Sequence, residues 1–364
     1  MKILQIIPQL SSGGAERFTV DLCNELADKH EVYLLVLHHL DKSTNFYFHE
    51  LSSKVKVLSL NKGKGMDLSL FFKVNKAIRQ IQPDIVQTHL RAIIYVFAAI
   101  FTFRHIKFYH TVHNDAPKEA GDRISTFVRK YSFKNKKICP VTISVESTKS
   151  FVDFYGISPI LINNGRNIPN QINPSEKVQR EFEKYKPTGK TRVLINLARI
   201  DTVKRQTMLA KIVHRLNKEG YENYSVLMIG STKYENLVAE IHSYDCPNLY
   251  VLGERTNPLE YLALADSYCL CSSYEGMPIS LIEALGVGIV PVCTPVGGIV
   301  DVIHDGENGF LSEDLSEESY YNALVKFLNL TDDELQQMKE KSKQSYLPYS
   351  MTQCAANYIK LFNS

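Results

Sequence analysis

The chain has 364 residues, roughly twice the length of a typical domain, so we expect two domains. With 44% apolar and 22% charged residues, its composition excludes a disordered, collagenous or low-complexity chain. The formal charge of +3 conceals an asymmetry, because residues 1–170 carry 23 basic and 14 acidic side chains and residues 171–364 carry 19 and 25. Balances of +9 and −6 suggest that one half meets an anionic surface or substrate.

Short β-branched runs alternate with helical patterns through the first half of the chain. This alternation predicts a parallel sheet that helices cover on both faces. The predicted strands of this half are Lys2–Ile7, Glu31–Leu37, Lys54–Leu60, Asp84–His89, Ile106–Val112, Ile138–Ser144 and Ile160–Asn163.

The turn after the first predicted strand contains Gly13 and Gly14 ahead of a helix. Exposed backbone N–H groups there would form an anion-binding nest, although a plain strand-to-helix turn explains the two glycines equally well. The segment 11–16 lacks the three-glycine spacing of a dinucleotide-binding loop.

No run in this half is long enough to cross a membrane. The longest apolar run, Ala92–Phe103, has 12 residues, which span only about 18 Å as a helix against a hydrocarbon layer of ~30 Å. The seven cysteines form an odd set without a Cys-x-x-Cys pair, and several lie in apolar runs. We therefore expect reduced, buried thiols and a cytoplasmic protein.

The fifth predicted strand leads into the sequence YHTVHN at residues 109–114. Side chains at the carboxyl end of a parallel strand face the crevice in which α/β folds bind ligands. His113 lies at the edge of the strand, so we prefer it to His110 as a ligand contact. A structural role in the core is the alternative for either histidine.

A basic cluster with interleaved aromatic residues follows. It is either a solvated helix face or a patch that docks on anionic lipid headgroups, where each cation contributes about 1 kcal/mol. Nucleic acid is a weaker explanation, since no recognised binding module accompanies the cluster. Its members are Arg129, Lys130, Lys134, Lys136 and Lys137.

A polar segment with three prolines, residues 169–190, is the predicted linker. The strand–helix alternation resumes beyond it, and after Ser316 only helices are predicted. The predicted strands of the second half are Arg192–Leu197, Ser225–Gly230, Leu249–Leu252, Ser267–Cys271 and Ile289–Thr294.

The first strand after the linker leads into RIDTVK at residues 199–204, ahead of a helix predicted over Val203–Lys218. Lys204 and Arg205 thus fall in the predicted first helical turn, where the macrodipole disfavours cations. A bound anion would reverse this, because N–H groups, the dipole and the cations would converge on it. Solvated charges beside an ordinary helix cap are the alternative.

A second motif follows the strand that ends at Cys271. There Glu275 and Gly276 form a loop before a helix that carries Glu283. Glycine allows a ligand to approach the backbone closely, and two carboxylates can bind sugar hydroxyl groups. The alternative for Glu283 is a capping box with Ser280.

In their order and spacing, these motifs resemble those of the retaining nucleotide-sugar glycosyltransferases of family 4. GGAER at 13–17 is similar to the family's glycine loop, and HTVHN at 110–114 to its Thr-x-His segment. The family's Arg-x4-Lys pair is matched by Arg199 and Lys204, and its Glu-x7-Glu signature by Glu275 and Glu283. One departure is NGRN at 164–167, where the family has Asn-Gly-Val-Asp.

The resemblance covers nearly the whole chain and implies the GT-B fold, an α/β structure of two Rossmann-like doubly wound domains facing a central cleft. Residues 1–168 would form the acceptor-side domain and residues 191–345 the donor-nucleotide domain, joined by the linker 169–190. The C-terminal helix, within 346–364, would return to the first domain.

The resemblance also implies site residues. His113 and Glu275 would be the catalytic contacts to the transferred sugar. The donor-binding residues would be Gly13, Gly14, Arg199 and Lys204 for the pyrophosphate, Glu283 for the ribose, Gly276, Met277, Pro278 and Ile279 for the sugar, and Gly253, Glu254 and Arg255 for the base.

The implied activity is that of a retaining hexosyl- or N-acetylhexosaminyltransferase with a UDP-sugar as the favoured donor. We expect no cofactor and no metal, because the sequence has no metal-ligand motif. The basic first half favours a lipid-linked or saccharide acceptor of surface polysaccharide biosynthesis, with the enzyme peripheral on the inner membrane face and no nucleic-acid partner. The alternatives are a non-catalytic sugar-nucleotide-binding subunit and a transferase with a soluble small-molecule acceptor.

Overall fold

The computed structural model of the chain describes residues 1–11, 13–40, 46–63 and 67–364. They divide into two compact units: unit 1 comprises Met1–Asn167 and Pro348–Ser364, and unit 2 comprises Ile168–Leu347. Each unit is built on one sheet whose named strands all pair in parallel. The predicted α/β class with two Rossmann-like sheets is therefore confirmed.

The strands follow one another along the chain in the order in which they are numbered. They are β1 (Lys2–Ile7), β2 (Glu31–His38), β3 (Lys56–Lys62), β4 (Ile85–His89), β5 (Lys107–Val112), β6 (Cys139–Thr142), β7 (Ile160–Leu161), β8 (Arg192–Leu197), β9 (Tyr224–Ile229), β10 (Leu249–Gly253), β11 (Ser267–Leu270), β12 (Val290–Cys293) and β13 (Phe310–Leu311).

Helices connect these strands and end the chain. They are α1 (Gly14–Leu26), α2 (Ser69–Ile81), α3 (Ala99–Thr102), α4 (Ala116–Ala120), α5 (Arg123–Lys134), α6 (Val145–Tyr155), α7 (Glu176–Glu183), α8 (Gln206–Lys218), α9 (Glu235–Ser243), α10 (Pro258–Leu264), α11 (Ile279–Val287), α12 (Glu317–Leu328), α13 (Asp332–Ser345) and α14 (Met351–Asn363).

The strand order in each sheet changes direction once. Unit 1 has the order β3-β2-β1-β4-β5-β6-β7, and unit 2 has β10-β9-β8-β11-β12-β13. In unit 1, the strands β2 and β3 are added on one side of β1 and the strands from β4 onward on its other side. In unit 2, β9 and β10 and the strands from β11 onward are divided in the same way about β8. We call the two positions, between β1 and β4 and between β8 and β11, the strand reversals. Open α/β sheets bind ligands beyond the carboxyl ends of the strands at such reversals, because the flanking loops diverge there. The four strands beside these reversals lead into, or lie next to, the predicted motifs.

The last helix belongs to unit 1, where α14 packs against α1. Its buried Tyr358 places the hydroxyl group 3.1 Å from Thr111 Oγ1 on β5. The predicted return of the C-terminal helix to the first domain is confirmed.

Two elements were not expected from the sequence. The predicted linker contains α7, which buries Val178 and Phe182 one helical turn apart and otherwise presents charged and polar residues. Only two apolar side chains in eight residues gave this helix the composition of a linker. Strand β13 pairs with β12 over two residues, too few for a period-two pattern to be visible.

No helix within the described ranges combines the length and the apolar character needed to cross a bilayer.

Candidate functional site

The loop after β8, at the strand reversal of unit 2, contains the cations of the first predicted motif. Helix α8 begins at Gln206 rather than at Val203. Arg205 has a left-handed φ of +55°, and the carbonyl group of Asp201 accepts hydrogen bonds from the N–H groups of Lys204 and Arg205 at 3.0 and 3.2 Å. Both cations therefore lie in a turn ahead of the helix, and their predicted position in its first turn is wrong.

The two matched cations of this loop have different surroundings. The side chain of Arg199 is 67% exposed, and its Nε donates to Asp201 Oδ2 at 3.0 Å. Partial burial raises the pKa of Asp201, but the Val203 N–H group and the Arg199 charge lower it below its usual value overall. Arg199 thus presents an exposed guanidinium group that an ionised carboxylate orients.

Lys204 contacts the second motif directly. Its Nζ lies 2.5 Å from Glu275 Oε1, and the same oxygen accepts a hydrogen bond from Ser272 Oγ at 2.5 Å. Glu275 is buried, and the Lys204 side chain is only 20% exposed. The Arg-x4-Lys and Glu-x7-Glu segments therefore meet within unit 2.

Two glycines support the loops that carry these charges. A Cβ atom on Gly297, whose φ is +55°, would lie 2.1 Å from the carbonyl oxygen of Glu275, and the Gly298 N–H group donates to the Gly276 carbonyl at 2.6 Å. A Cβ atom on Gly230 would lie 2.8 Å from the backbone nitrogen of Arg199. Close backbone approach at both positions fixes where the loops lie.

Glu283 lies in the second turn of α11, a largely apolar helix, and it is buried. The N-cap of this helix is Pro278, no side chain caps it, and Ser280 Oγ lies 2.8 Å from the hydroxyl group of Tyr268. The capping box proposed as an alternative for Glu283 is therefore wrong. Met277, two residues before α11, and Ile279, the first residue of that helix, are buried as well.

The loop after β10 contains the residues predicted to lie near the base. Gly253 has a φ of +71° with open space beside it, and Glu254 is exposed. Arg255 donates from Nη2 to Glu181 Oε1 at 3.0 Å and from Nε to the Tyr261 hydroxyl group at 3.1 Å. Its guanidinium group is therefore bound to α7 and α10.

In unit 1, the loop after β1 has a carboxylate of its own. Helix α1 begins at Gly14, with Gly13 as the N-cap. Glu16 is buried in the first turn, accepts a hydrogen bond from Ser11 Oγ at 2.6 Å, and lies so close that a Cβ atom on Gly13 would be 2.3 Å from its Oε2. An anionic group next to this helix N-terminus is electrostatically favourable.

His113 follows β5 and is buried. Glu119 Oε2 accepts hydrogen bonds from the backbone N–H groups of His113, at 2.7 Å, and Asn114, at 3.2 Å. The other oxygen of the same carboxylate faces His110, whose Nε2 lies 3.0 Å from Glu119 Oε1 and 2.6 Å from Arg129 Nη1. Burial raises the pKa of Glu119, but the His110 hydrogen bond and the Arg129 charge lower it to about 2 overall. An ionised carboxylate thus holds the loop that carries His113.

Comparison with known families decides the identity. A family model described as Glycosyltransferase Family 4 matches residues 12–196, and one described as Glycosyl transferases group 1 matches residues 177–345. The chain belongs to glycosyltransferase family 4. This retaining transferase is 25% identical to the GalNAc-α-(1→4)-GalNAc-α-(1→3)-diNAcBac-PP-undecaprenol α-1,4-N-acetyl-D-galactosaminyltransferase of Campylobacter jejuni, over 99% of this chain and 98% of the relative.

One further relative is named for a different acceptor, and a solved structure shares the fold. It is 24% identical to the N-acetyl-α-D-glucosaminyl L-malate synthase of Bacillus anthracis, over 92% of this chain and 89% of that one. Its fold matches the crystal structure of Anabaena HepE in complex with UDP and glucose, with a TM-score of 0.81 at 17% identity, over 100% of this chain and 99% of HepE. The GT-B fold expected from the sequence is confirmed.

The transferase exposes only part of the predicted basic patch. Arg129 is buried, donating to Glu119 Oε1 at 3.0 Å and to the carbonyl group of Leu90 at 2.8 Å. Its assignment to the surface patch is wrong, because Arg129 lies on the buried face of α5 with Val128 and Phe133, where Glu119 on α4 binds its charge. The four exposed members are Lys130, Lys134, Lys136 and Lys137.

Sequence reasoning missed several residues of the transferase that hold the site together. Glu119 and His89 both contact His113, and Gly230 and Gly297 support the loops of unit 2. His89 could have been found from the sequence, because it is the last residue of a predicted strand and His113 directly follows another. The two glycines and Glu119 could not have been found in this way, because their contacts join segments that are distant in sequence or depend on a loop conformation.

The transferase is expected to lose stability as pH falls from about 6.5 to about 4. Burial lowers the pKa of His110 and of His113 to about 4 and that of His89 well below its usual value, against 6.5 when exposed. The unfolded chain therefore binds more protons in this window, and its free energy of unfolding decreases with decreasing pH. Urea denaturation across the window measures the slope, which His113→Asn should reduce by about one proton. An unchanged slope would contradict the buried, neutral state of His113.

Proposed function

We propose that this transferase moves a hexosyl or N-acetylhexosaminyl group, with retention of anomeric configuration, from a UDP-sugar to a lipid-linked saccharide of surface polysaccharide biosynthesis. The observation that carries the proposal is the Lys204–Glu275 ion pair at the strand reversal of unit 2, with the exposed guanidinium group of Arg199 in the same loop as Lys204. The membership of family 4 supports it independently.

The charges explain the proposed reaction. Cleavage of the anomeric bond develops negative charge on the leaving diphosphate and positive character on the sugar. The exposed guanidinium group of Arg199 and the ammonium group of Lys204 would stabilise the diphosphate as its charge grows, which lowers the barrier. Gly13 and Gly14 would add backbone N–H groups at the start of α1, where Glu16 now supplies the negative charge.

The carboxylates and neighbouring backbone would bind the donor's hydroxyl groups. Glu283 would accept hydrogen bonds from the ribose, while Glu275 and the backbone of 276–279 would position the sugar that is transferred. His113 would contact this sugar, and the loop 253–255 would lie beside the base. A carboxylate suits these roles because it accepts from two adjacent hydroxyl groups at once.

A donor screen tests the proposal. UDP-, GDP- and ADP-sugars are titrated into the purified full chain by calorimetry, and transfer is then assayed with the tightest ligand. Binding of a UDP-sugar with micromolar affinity and formation of a product of retained configuration are expected. If no sugar nucleotide binds, the enzymatic interpretation fails.

The acceptor is tested with the same donor, because the relatives include enzymes named for an undecaprenol-linked saccharide and for L-malate. Polyprenyl-diphosphate-linked saccharide in vesicles and L-malate in solution are supplied separately. Transfer to the lipid-linked acceptor supports the proposal, and transfer to L-malate alone would replace it with the soluble-acceptor alternative.

One surface of unit 1 supports a membrane-bound acceptor. Phe127 on α5 is 63% exposed, with its ring 6.2 Å from that of Tyr131, which in turn lies 6.1 Å from Phe101 on α3. The exposed lysines Lys130 and Lys134 belong to the same helix. Aromatic side chains beside exposed cations are suited to the headgroup region of an anionic bilayer.

Vesicle co-sedimentation should show binding that depends on anionic lipid and weakens with salt. Phe127→Ser is expected to lower the partition coefficient about fivefold, since it removes apolar area from the bilayer interface. Tyr234→Ser is the matched control, because Tyr234 is an aromatic side chain of unit 2 that is 52% exposed. Binding that does not depend on lipid charge or salt, or equal losses of binding in both variants, would contradict the assignment of this surface to membrane binding.

A further inference from the structure

A chain of buried polar side chains links β1, β4 and the end of β5 in unit 1. Gln5 Oε1 lies 2.8 Å from His89 Nε2, and His89 Nδ1 lies 2.9 Å from His113 Nε2. The amide nitrogen of Gln5 donates to Gln87 Oε1 at 3.0 Å, and the amide nitrogen of Gln87 donates to Thr111 Oγ1 at 2.7 Å. The oxygen of Gln5 is therefore the atom that faces His89.

With the amide oxygen of Gln5 facing His89, these contacts assign the proton positions on both rings. An amide oxygen only accepts hydrogen bonds, so His89 carries its proton on Nε2. Burial lowers the pKa of His89 well below its usual value, so the ring is neutral and its Nδ1 is an acceptor. The proton in the bond between the two histidines then belongs to His113 Nε2, and a neutral His113 has its lone pair on Nδ1.

Two further contacts fix the position of the His113 ring. Glu119 binds its backbone N–H group at 2.7 Å, and the ring of Phe18 lies edge-on with centroids 5.5 Å apart. Within the described residues, Nδ1 has no hydrogen-bond partner, whereas Nε2 is bound to His89. The ring thus keeps one orientation, in which Nδ1 is the nitrogen available to a ligand.

We propose that His89, oriented by Gln5, is a positioning residue that holds His113 as the Nε2–H tautomer, so that Nδ1 accepts a hydrogen bond from a hydroxyl group of the transferred sugar. The proposal rests on the proposed function, in which His113 contacts that sugar. It predicts selection for a donor with a hydroxyl group at the contacted position, because a deoxy analogue leaves the acceptor unpaired.

The tautomer is measured without any substrate, by ¹⁵N NMR of the histidine-labelled full chain at pH 7.5. His113 is expected to show a protonated Nε2 and an unprotonated Nδ1. In His89→Leu, which removes the acceptor, this pattern should give way to a mixture of tautomers, and His89→Asn, which returns an oxygen near the position of Nδ1, should restore it. A protonated Nδ1 in the unmodified chain overturns the inference, and it does so even if His89→Leu fails to fold.

Kinetics provide the second readout. His89→Leu should lower kcat/KM for the preferred donor roughly fivefold, the equivalent of one hydrogen bond, with rescue in His89→Asn. The penalty for the deoxy donor should shrink in His89→Leu, since the acceptor is no longer fixed. An undiminished penalty overturns the inference. Failure of the unmodified chain to bind any sugar nucleotide overturns the proposed function instead, and the NMR result distinguishes the two.

Discussion

Arg199→Ala is expected to lower the rate of sugar transfer at least roughly tenfold while leaving the thermal unfolding temperature unchanged. The side chain is 67% exposed and forms an ion pair with Asp201 at 3.0 Å. An exposed pair of this kind contributes little to stability, about 0–1 kcal/mol. A tenfold loss corresponds to about 1.4 kcal/mol of transition-state stabilisation, which a single cation facing a diphosphate readily supplies.

The matched control for this variant is Arg180→Ala. Arg180 on α7 is also an exposed arginine of unit 2, with a side chain that is 78% accessible and an ion pair to Glu176 at 3.1 Å. Its removal changes the net charge equally and should leave transfer unaffected. Near-normal activity of Arg199→Ala, or equal losses in both variants, would contradict the pyrophosphate assignment.

Lys204→Ala should combine the same loss of transfer with a loss of stability. Glu275 is buried and bound to Lys204 at 2.5 Å, so removal of the cation leaves a buried carboxylate uncompensated, at a cost of about 3–5 kcal/mol. Adding Glu275→Gln should restore stability and leave transfer low. A comparison of unfolding and kinetics in the single and double variants therefore separates the structural and catalytic roles of this ion pair.

The sequence predicted the parts of the fold that depend on periodicity. Every predicted strand corresponds to a strand of the structure, since parallel strands covered on both faces are continuous apolar runs, as in Lys2–Ile7. It did not predict where α8 begins, because the left-handed conformation of Arg205 results from contacts of the loop rather than from residue preference. Burial of Arg129 was missed for a related reason, since its carboxylate partner, Glu119, lies on another helix.

The candidate site could be located from the sequence because its charged residues follow recognisable strands at fixed spacings. The Lys204–Glu275 ion pair could not, since it joins residues 71 positions apart. Glycines whose close backbone contacts hold a loop in place are even harder to recognise in the sequence. The sequence around Gly297 is typical of a simple turn, but in the structure its α-carbon faces the loop that carries Glu275 and Gly276.

Gly297→Ala should lower transfer about a hundredfold, a larger loss than that expected for Arg199→Ala. The added methyl group would lie 2.1 Å from the carbonyl oxygen of Glu275 and 2.7 Å from that of Gly276. Both are backbone atoms and cannot rotate away, so the loop itself must move. Movement of the loop displaces Glu275 and the ammonium group of Lys204 that it binds. A displacement of catalytic groups by about 1 Å lowers the rate on the order of a hundredfold.

The control separates this displacement from backbone strain. Gly306 also has a positive φ, +76°, but beyond its own chain neighbours no atom of the described residues lies within 4 Å of the position that an added methyl group would occupy, so Gly306→Ala meets strain alone. Both variants should be destabilised by about 1–2 kcal/mol through the left-handed conformation. Only Gly297→Ala should lose transfer, with kcat reduced more than donor affinity, because the displaced groups act on the developing charge. Similar kinetics in the two variants would mean that the contact behind Glu275 does not position it.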